Sequence, residues 1–174
     1  MLKPDNFIRV KSRICSNNLS EFRSHCLSQM DFMERMSVLH ADGKVHCTWI
    51  GIGGETSDLP GTNPFNIDNR IIDFGLKFYN GICGCLLYHL SVGSRISHEH
   101  VFEDFTKRCV VVPITGSLVI LNGDQTKVLG KGYVAEFHSP TGGFTTSAVA
   151  EPTWLACFKQ FHGQLDLFNS TNVL

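Results

Sequence analysis

The apolar positions change period near residue 70. Upstream, Leu19, Phe22, Cys26, Met30 and Met33 recur at spacings of three and four, with Glu21, Arg23, Ser28 and Asp31 on the opposite side. One apolar stripe of that period predicts an amphipathic helix over residues 18–39, packed on the body of the domain. Asn18, with Glu21 three positions later, predicts a capping box at its start. Asp42-Gly43 then ends the helix or turns a short hairpin into a strand over residues 44–50. Residues 51–69 hold four Gly and two Pro among few apolar side chains. They predict a long irregular loop of the size usually tied to function or mobility.

From residue 70 onward the pattern is that of strands. Segments 71–79, 82–92, 108–121, 125–137, 144–150 and 153–161 are rich in Val, Ile, Leu, Phe, Tyr and Thr and are punctuated by Gly, Pro, Asn or Asp. Leu121-Asn122-Gly123-Asp124 is the strongest local signal, because Asn-Gly between two apolar strands favours a tight hairpin. Short strands at regular spacing imply an antiparallel sandwich or barrel. The chain therefore divides into an arm, 1–69, with a helix, a short strand and the loop, and a β-barrel, 70–174, on which the arm packs.

Composition narrows the function classes. The chain has 174 residues, 43% hydrophobic and 18% charged, as expected of one globular domain. A formal net charge of −1 gives no basic footprint, which argues against nucleic acid or an anionic membrane as partner. No apolar run approaches the ~20 residues of a membrane span, and the N-terminus lacks the apolar core of a signal peptide. The seven cysteines are odd in number, scattered and mostly within apolar stretches. They read as reduced, buried thiols in a cytoplasmic protein. Cys83-Gly84-Cys85 is too tight for a zinc knuckle. The 13 Phe point to a Phe-rich core, with rings available for a pocket or subunit interface.

His98-Glu99-His100, with Glu103 three residues on, carries the most chemistry. Imidazoles at i and i+2 project to one side of an extended strand, and a nearby carboxylate can complete a mixed nitrogen/oxygen metal site. An acid/base pair in a pocket is the other reading of the same residues. Arg95, on the approach to the motif, has the fork that clamps a carboxylate or phosphate. His89 lies one strand earlier, and Glu103-Asp104 beside Lys107-Arg108 reads as a solvated turn with local ion pairs. Pro140-Thr-Gly-Gly-Phe-Thr-Thr146 has no strand-to-helix context for a phosphate loop. Hydrolase and NTPase signatures are absent from the sequence.

In order along the chain, Gly93-Ser-Arg-Ile-Ser-His98-Glu-His100-Val-Phe-Glu103, a strand reaching Gly116 and the Asn122-Gly123 hairpin resemble the first motif of the cupins. Segment 132–137 and Pro140-Thr-Gly142 resemble the frame of their second motif. The spacings depart from the pattern: four residues rather than five precede His98, Glu103 comes early and Gly116 late. The second motif's histidine falls at or near Thr145, and His138 would replace it only after a shift of register. The resemblance covers residues 70–161. It implies a mainly β fold, a cupin-like antiparallel jelly-roll β-barrel with an N-terminal helical arm.

The resemblance further implies a small polar ligand in the barrel pocket, contacted by Arg95, His89, His138 and Thr145. His98 and His100 would be the catalytic pair. With Glu103 they would also hold a divalent metal (Fe, Mn, Ni or Zn), for dioxygenase, isomerase or lyase chemistry. The alternative is a non-catalytic module that sequesters or senses a ligand, or binds a protein partner, after losing the metal site. Cupins commonly pair through strand edges and N-terminal arms, so the resemblance implies a homodimer.

Overall fold

In the computed structural model the described residues are 8–30, 38–40, 43–50, 68–77, 83–97, 105–122, 124–138 and 145–161. They form strands β1 (Arg9–Arg13), β2 (Val38–His40), β3 (Gly43–Ile50), β4 (Cys83–Leu90), β5 (Arg95–Ser97), β6 (Phe105–Pro113), β7 (Ser117–Asn122), β8 (Gln125–Gly130), β9 (Tyr133–His138), β10 (Thr145–Ala148) and β11 (Thr153–Phe161). Two helices, α1 (Ser16–Leu27) and α2 (Asn69–Gly75), complete the set. A seven-stranded sheet runs β1-β9-β6-β11-β4-β3-β2, and a four-stranded sheet runs β5-β10-β7-β8. Every pairing is antiparallel. No described helix is long and apolar enough to cross a membrane.

Strand alternation gives the large sheet two apolar faces. Leu86, Tyr88, Leu90, Cys109, Val111, Ala135, Leu155 and Cys157 meet Leu118, Ile120, Leu129 and Ala148 of the small sheet in one buried cluster. This is the barrel interior. On the opposite face Cys85, Leu87, Val110, Val112, Trp154, Ala156 and Phe158 pack under Leu19, Phe22 and Cys26 of α1 and Ile71 and Phe74 of α2. Phe22 stacks on Phe74 at 4.0 Å between ring centroids, and both rings lie 6.1 Å from Phe158.

Several local expectations are corrected. The helix of the arm begins at Ser16, with Cys15 as its N-cap and no side-chain cap, so Asn18 and Glu21 do not form a capping box. The entry is fixed earlier, where the Ile14 N–H donates to the Gly132 carbonyl at 2.8 Å. Nor does the helix run to residue 39: α1 ends at Leu27, and Val38–His40 is a strand paired with β3 through Val38↔Val45 and His40↔Gly43. The hairpin reading of Asp42-Gly43 thus stands.

Segment 71–79 begins as a helix, not a strand. Its Ile-Ile and Phe suit a strand by propensity, but Asp68 caps α2 by accepting from the Arg70 backbone N–H at 3.1 Å. Ile71 and Phe74, three apart, then bury one face of the turn. Segments 108–121 and 125–137 each break in two at a corner. β6 passes from the large sheet into β7 of the small one through Gly116 (φ +67°), and β8 returns to β9 through Gly132 (φ +79°). The same change of sheet occurs between β4 and β5 at Gly93 (φ +79°). The Asn-Gly hairpin is present as β7–β8, closing with Asn122 paired to Gln125.

Asp68 also receives Arg70 Nε at 3.0 Å, Arg70 Nη2 at 2.8 Å and Gln29 Nε2 at 3.0 Å. The Arg70 side-chain hydrogen bonds hold its carboxyl below the usual carboxylate range against the opposing effect of burial. A lowered carboxyl stabilises the fold above its unfolded value of about 3.9 and loses that contribution as pH falls through the folded value. Asp68→Asn should therefore lose about 1–2 kcal/mol at neutral pH. The gap from the parent protein should close on acidification below about pH 4. Urea titrations between pH 7 and pH 2 would show it, and a gap independent of pH would refute the role of the charge.

Candidate functional site: the barrel interior

The interior is built by register. On β11, Leu155, Cys157 and Lys159 share one phase, facing Pro113, Val111 and Cys109 of β6 and Tyr88, Leu86 and Gly84 of β4. In the small sheet Leu118 pairs with Ala148 and Ile120 with Thr146, which in turn pairs with Ile96 of β5. Leu118, Ile120 and Ala148 are buried, so the phase of Thr146 and Ile96 belongs to the interior and that of their neighbours to the outer face.

Against this register the sequence-derived site residues separate. His98, His100 and Glu103 lie outside the described residues; β5 ends at Ser97, immediately before His98. Arg95 is exposed and pairs with Ser147, in the outer phase of the small sheet. Thr145 pairs with Leu121 and Ser97, again the outer phase, where Leu121 is 39% exposed. The interior phase of β10 goes to Thr146 instead, one position from the expected site of the second-motif histidine.

His138 pairs with Arg108, two positions from Val110, and so falls in the phase of the helix-covered face. His89 lies on that face as well, half-buried and stacked on Trp154 at 4.8 Å between ring centroids. Of the four, the side chains of Arg95 and His89 are described, the first exposed and the second stacked on Trp154. In a pleated strand a one-residue difference in phase moves a residue to the other face.

The structure instead places in the interior polar groups that no sequence motif marks. Lys159 is 2% exposed, with Cys109 directly opposite and Cys157 two positions back on its own strand. The signal was present in Thr153–Phe161, where a lysine takes the same strand phase as Leu155 and Cys157. A charged residue in an apolar phase marks either a site or an ion pair. A hydrogen bond from the Cys157 thiol holds the Cys109 thiol down at about 7, against burial and with help from the nearby Lys159 ammonium. The same hydrogen bond, together with burial, pushes Cys157 up. Burial likewise pushes up Cys26 beneath the helices. Among the described residues no three or more His, Cys, Asp or Glu converge as metal ligands. A separate cleft of about 330 Å³ opens outside the barrel at the start of α1, where Arg13, Arg23 and Lys131 face Glu151.

Two facing antiparallel sheets, exchanged through glycine corners, define a cupin-like jelly-roll β fold. A likeness to one solved structure supports it. A prolyl-4-hydroxylase of Pseudomonas putida superimposes with a TM-score of 0.55 at 12% identity, covering 90% of this chain and 93% of that one. The Cupin_2 domain of an XRE family transcriptional regulator from Enterobacter cloacae matches 45% of this chain and 81% of that one, with 12% identity and a TM-score of 0.40. Salicylate 1,2-dioxygenase of Pseudaminobacter salicylatoxidans matches 80% of this chain and 33% of that one, at 12% identity and a TM-score of 0.45. No family model and no curated protein matches the sequence.

Proposed function

We propose that the chain binds a small polar ligand in the mouth of the barrel, against a divalent metal held by His98, His100 and Glu103. Iron, manganese, nickel and zinc all suit two imidazoles and one carboxylate. The observation that carries this reading is the register of β5: Ile96 is in the phase of Thr146 and Ile120. His98 and His100 follow Ile96 by two and four positions in sequence, so continued alternation would give them the interior phase.

When bound, the metal would supply Lewis-acid or oxygen-activating chemistry at positions left open by three protein ligands. Dioxygenase, isomerase or lyase activity fits such a site. The hydroxylase whose fold matches this chain supports the oxygenase branch by analogy. The protein's contribution would be an apolar interior, to which Leu86, Leu118, Ile120 and Leu155 belong. A homodimer and a cytoplasmic location belong to the same proposal.

Metal analysis of the purified protein tests it. One Fe, Mn, Ni or Zn per chain is expected, and His98→Ala or His100→Ala should reduce occupancy at least tenfold, as loss of one ligand implies. Light scattering would read the dimer in the same sample. An empty site after supplementation with all four metals would leave the metal reading without support, and a ligand-only module would then be the better account.

A further inference from the structure

The cleft outside the barrel is a second site, and its chemistry is the opposite of the apolar interior. We propose that it binds a small phosphate monoester, whose phosphate is held by Arg13, Arg23 and Lys131 and whose body presents a hydroxyl to Glu151. All four side chains line one space of about 330 Å³. Small-molecule sites span about 300–1,000 Å³, so a phosphate with a small organic body fits. The chain as a whole carries a net charge of −1, yet here three cations meet one carboxylate.

The three cations come from three elements. Ser16, Ser20 and Arg23 follow each other at spacings of four and three, so they share one face of α1. Arg13 ends β1, with its guanidinium 5.2 Å from the centroid of the Tyr133 ring. Stacking fixes the plane of the fork and leaves its N–H edges open to an anion. Lys131 stands at the corner between β8 and β9, next to Gly132. That corner is pinned twice: the Gly132 N–H donates to the Pro113 carbonyl and the Ile14 N–H donates to the Gly132 carbonyl, both at 2.8 Å. Leu19 of α1 packs so closely on it that a Cβ at Gly132 would lie 3.0 Å from Leu19 Cδ2.

Convergence without partners is what points to a ligand. The ion pairs among the described residues are Lys11–Glu136, His25–Glu21 and Arg70–Asp68, and none of them includes Arg13, Arg23, Lys131 or Glu151. Like charges gathered on a concave surface repel one another, and its walls concentrate their field on whatever fills the space. A phosphate monoester answers with up to two negative charges and three acceptor oxygens, one for each cation. A carboxylate brings only two oxygens and one charge. The start of α1 adds a smaller effect of the same sign, since Cys15 provides no side-chain cap and the first turn holds no acidic residue. Glu151 opposes a bare anion and favours one whose body donates a hydroxyl, so it sets selectivity rather than strength. The site is separate from the proposed His98/His100/Glu103 centre in its residues and in the ligand it takes.

Calorimetric titration of the full chain with glucose 6-phosphate and with inorganic phosphate, at constant ionic strength, tests the proposal. Both should bind saturably at one site, with glucose and chloride giving no binding and succinate binding at least about tenfold more weakly. Arg23→Gln and Lys131→Gln should each weaken glucose 6-phosphate about tenfold, as loss of one charge-assisted contact implies. Glu151→Gln removes the opposing charge and should tighten inorganic phosphate about threefold. Lys127→Gln, an exposed cation outside the cleft, should change neither affinity. All four positions are exposed, where such substitutions leave the fold intact. Absence of saturable binding by both phosphates, equal binding of succinate, unchanged affinity in the Arg23 and Lys131 variants, or an equal loss in Lys127→Gln would each overturn it. Weaker binding of inorganic phosphate by Glu151→Gln would overturn the role given to Glu151.

Discussion

Replacing Phe22 by alanine should lower the unfolding free energy by about 3–5 kcal/mol, the range for truncating a large aromatic in a packed core. Phe22 is 1% exposed and lies at the centre of the three-ring cluster. Its ring joins α1 to α2 through Phe74, and both helices to β11 through Phe158. Few atoms nearby are free to fill the space, because Cys26, Ile71, Ala156 and Phe158 are themselves fully buried in strands or helices. For a domain of this size the melting temperature should fall by about 10 °C. Phe22→Leu retains much of the volume and should recover about half of the loss. A change below about 1 kcal/mol for Phe22→Ala, measured by urea unfolding, would mean that the helices are not anchored through this cluster.

The second large effect belongs to a corner. Gly116 has φ +67°, where a side chain is strained, and a Cβ built there would collide with the Thr153 hydroxyl and sit 3.1 Å from Glu151 Cγ. Thr153 has no room to yield, being fully buried and donating from its hydroxyl to the Glu151 carbonyl at 3.1 Å. Gly116→Ala should destabilise by about 2–4 kcal/mol, combining left-handed strain with the overlap. The two contributions separate in a double-mutant cycle with Thr153→Ala, which removes the collision and leaves the backbone strain. Additive losses would show that the corner relaxes and that only the strain matters.

The architecture was legible because strand propensity and glycine placement act locally. Thr153–Phe161 and the Asn122 hairpin could be read directly from composition and turn chemistry. Where long apolar segments broke, the cause was equally local, yet a single glycine such as Gly116 does not reveal a change of sheet. α2 was misread because Ile71, Ile72 and Phe74 have strand propensities, while the deciding contacts come from Gln29 and the helix cap, 39 residues apart in sequence in the case of Gln29 and Asp68. The site was less legible still. Arg95, His89, His138 and Thr145 are chemically suited to a pocket, but whether they face it depends on pairing partners that sequence spacing does not specify. Lys159 was the opposite case: its chemistry was overlooked because its strand looked like ordinary core.

The order of strands also bears on how the protein comes to be folded. β11 sits between β6 and β4 at the centre of the large sheet, yet it is the last described strand to leave the ribosome. β1, near the start, has its pairing partner in β9, with Arg9 opposite Glu136. Neither apolar core can be completed before β11 is synthesised, since Phe158 belongs to one and Cys157 to the other. Nascent chains should therefore leave one edge of β4 and one edge of β6 unpaired until β11 emerges, which makes them natural clients for a holding chaperone.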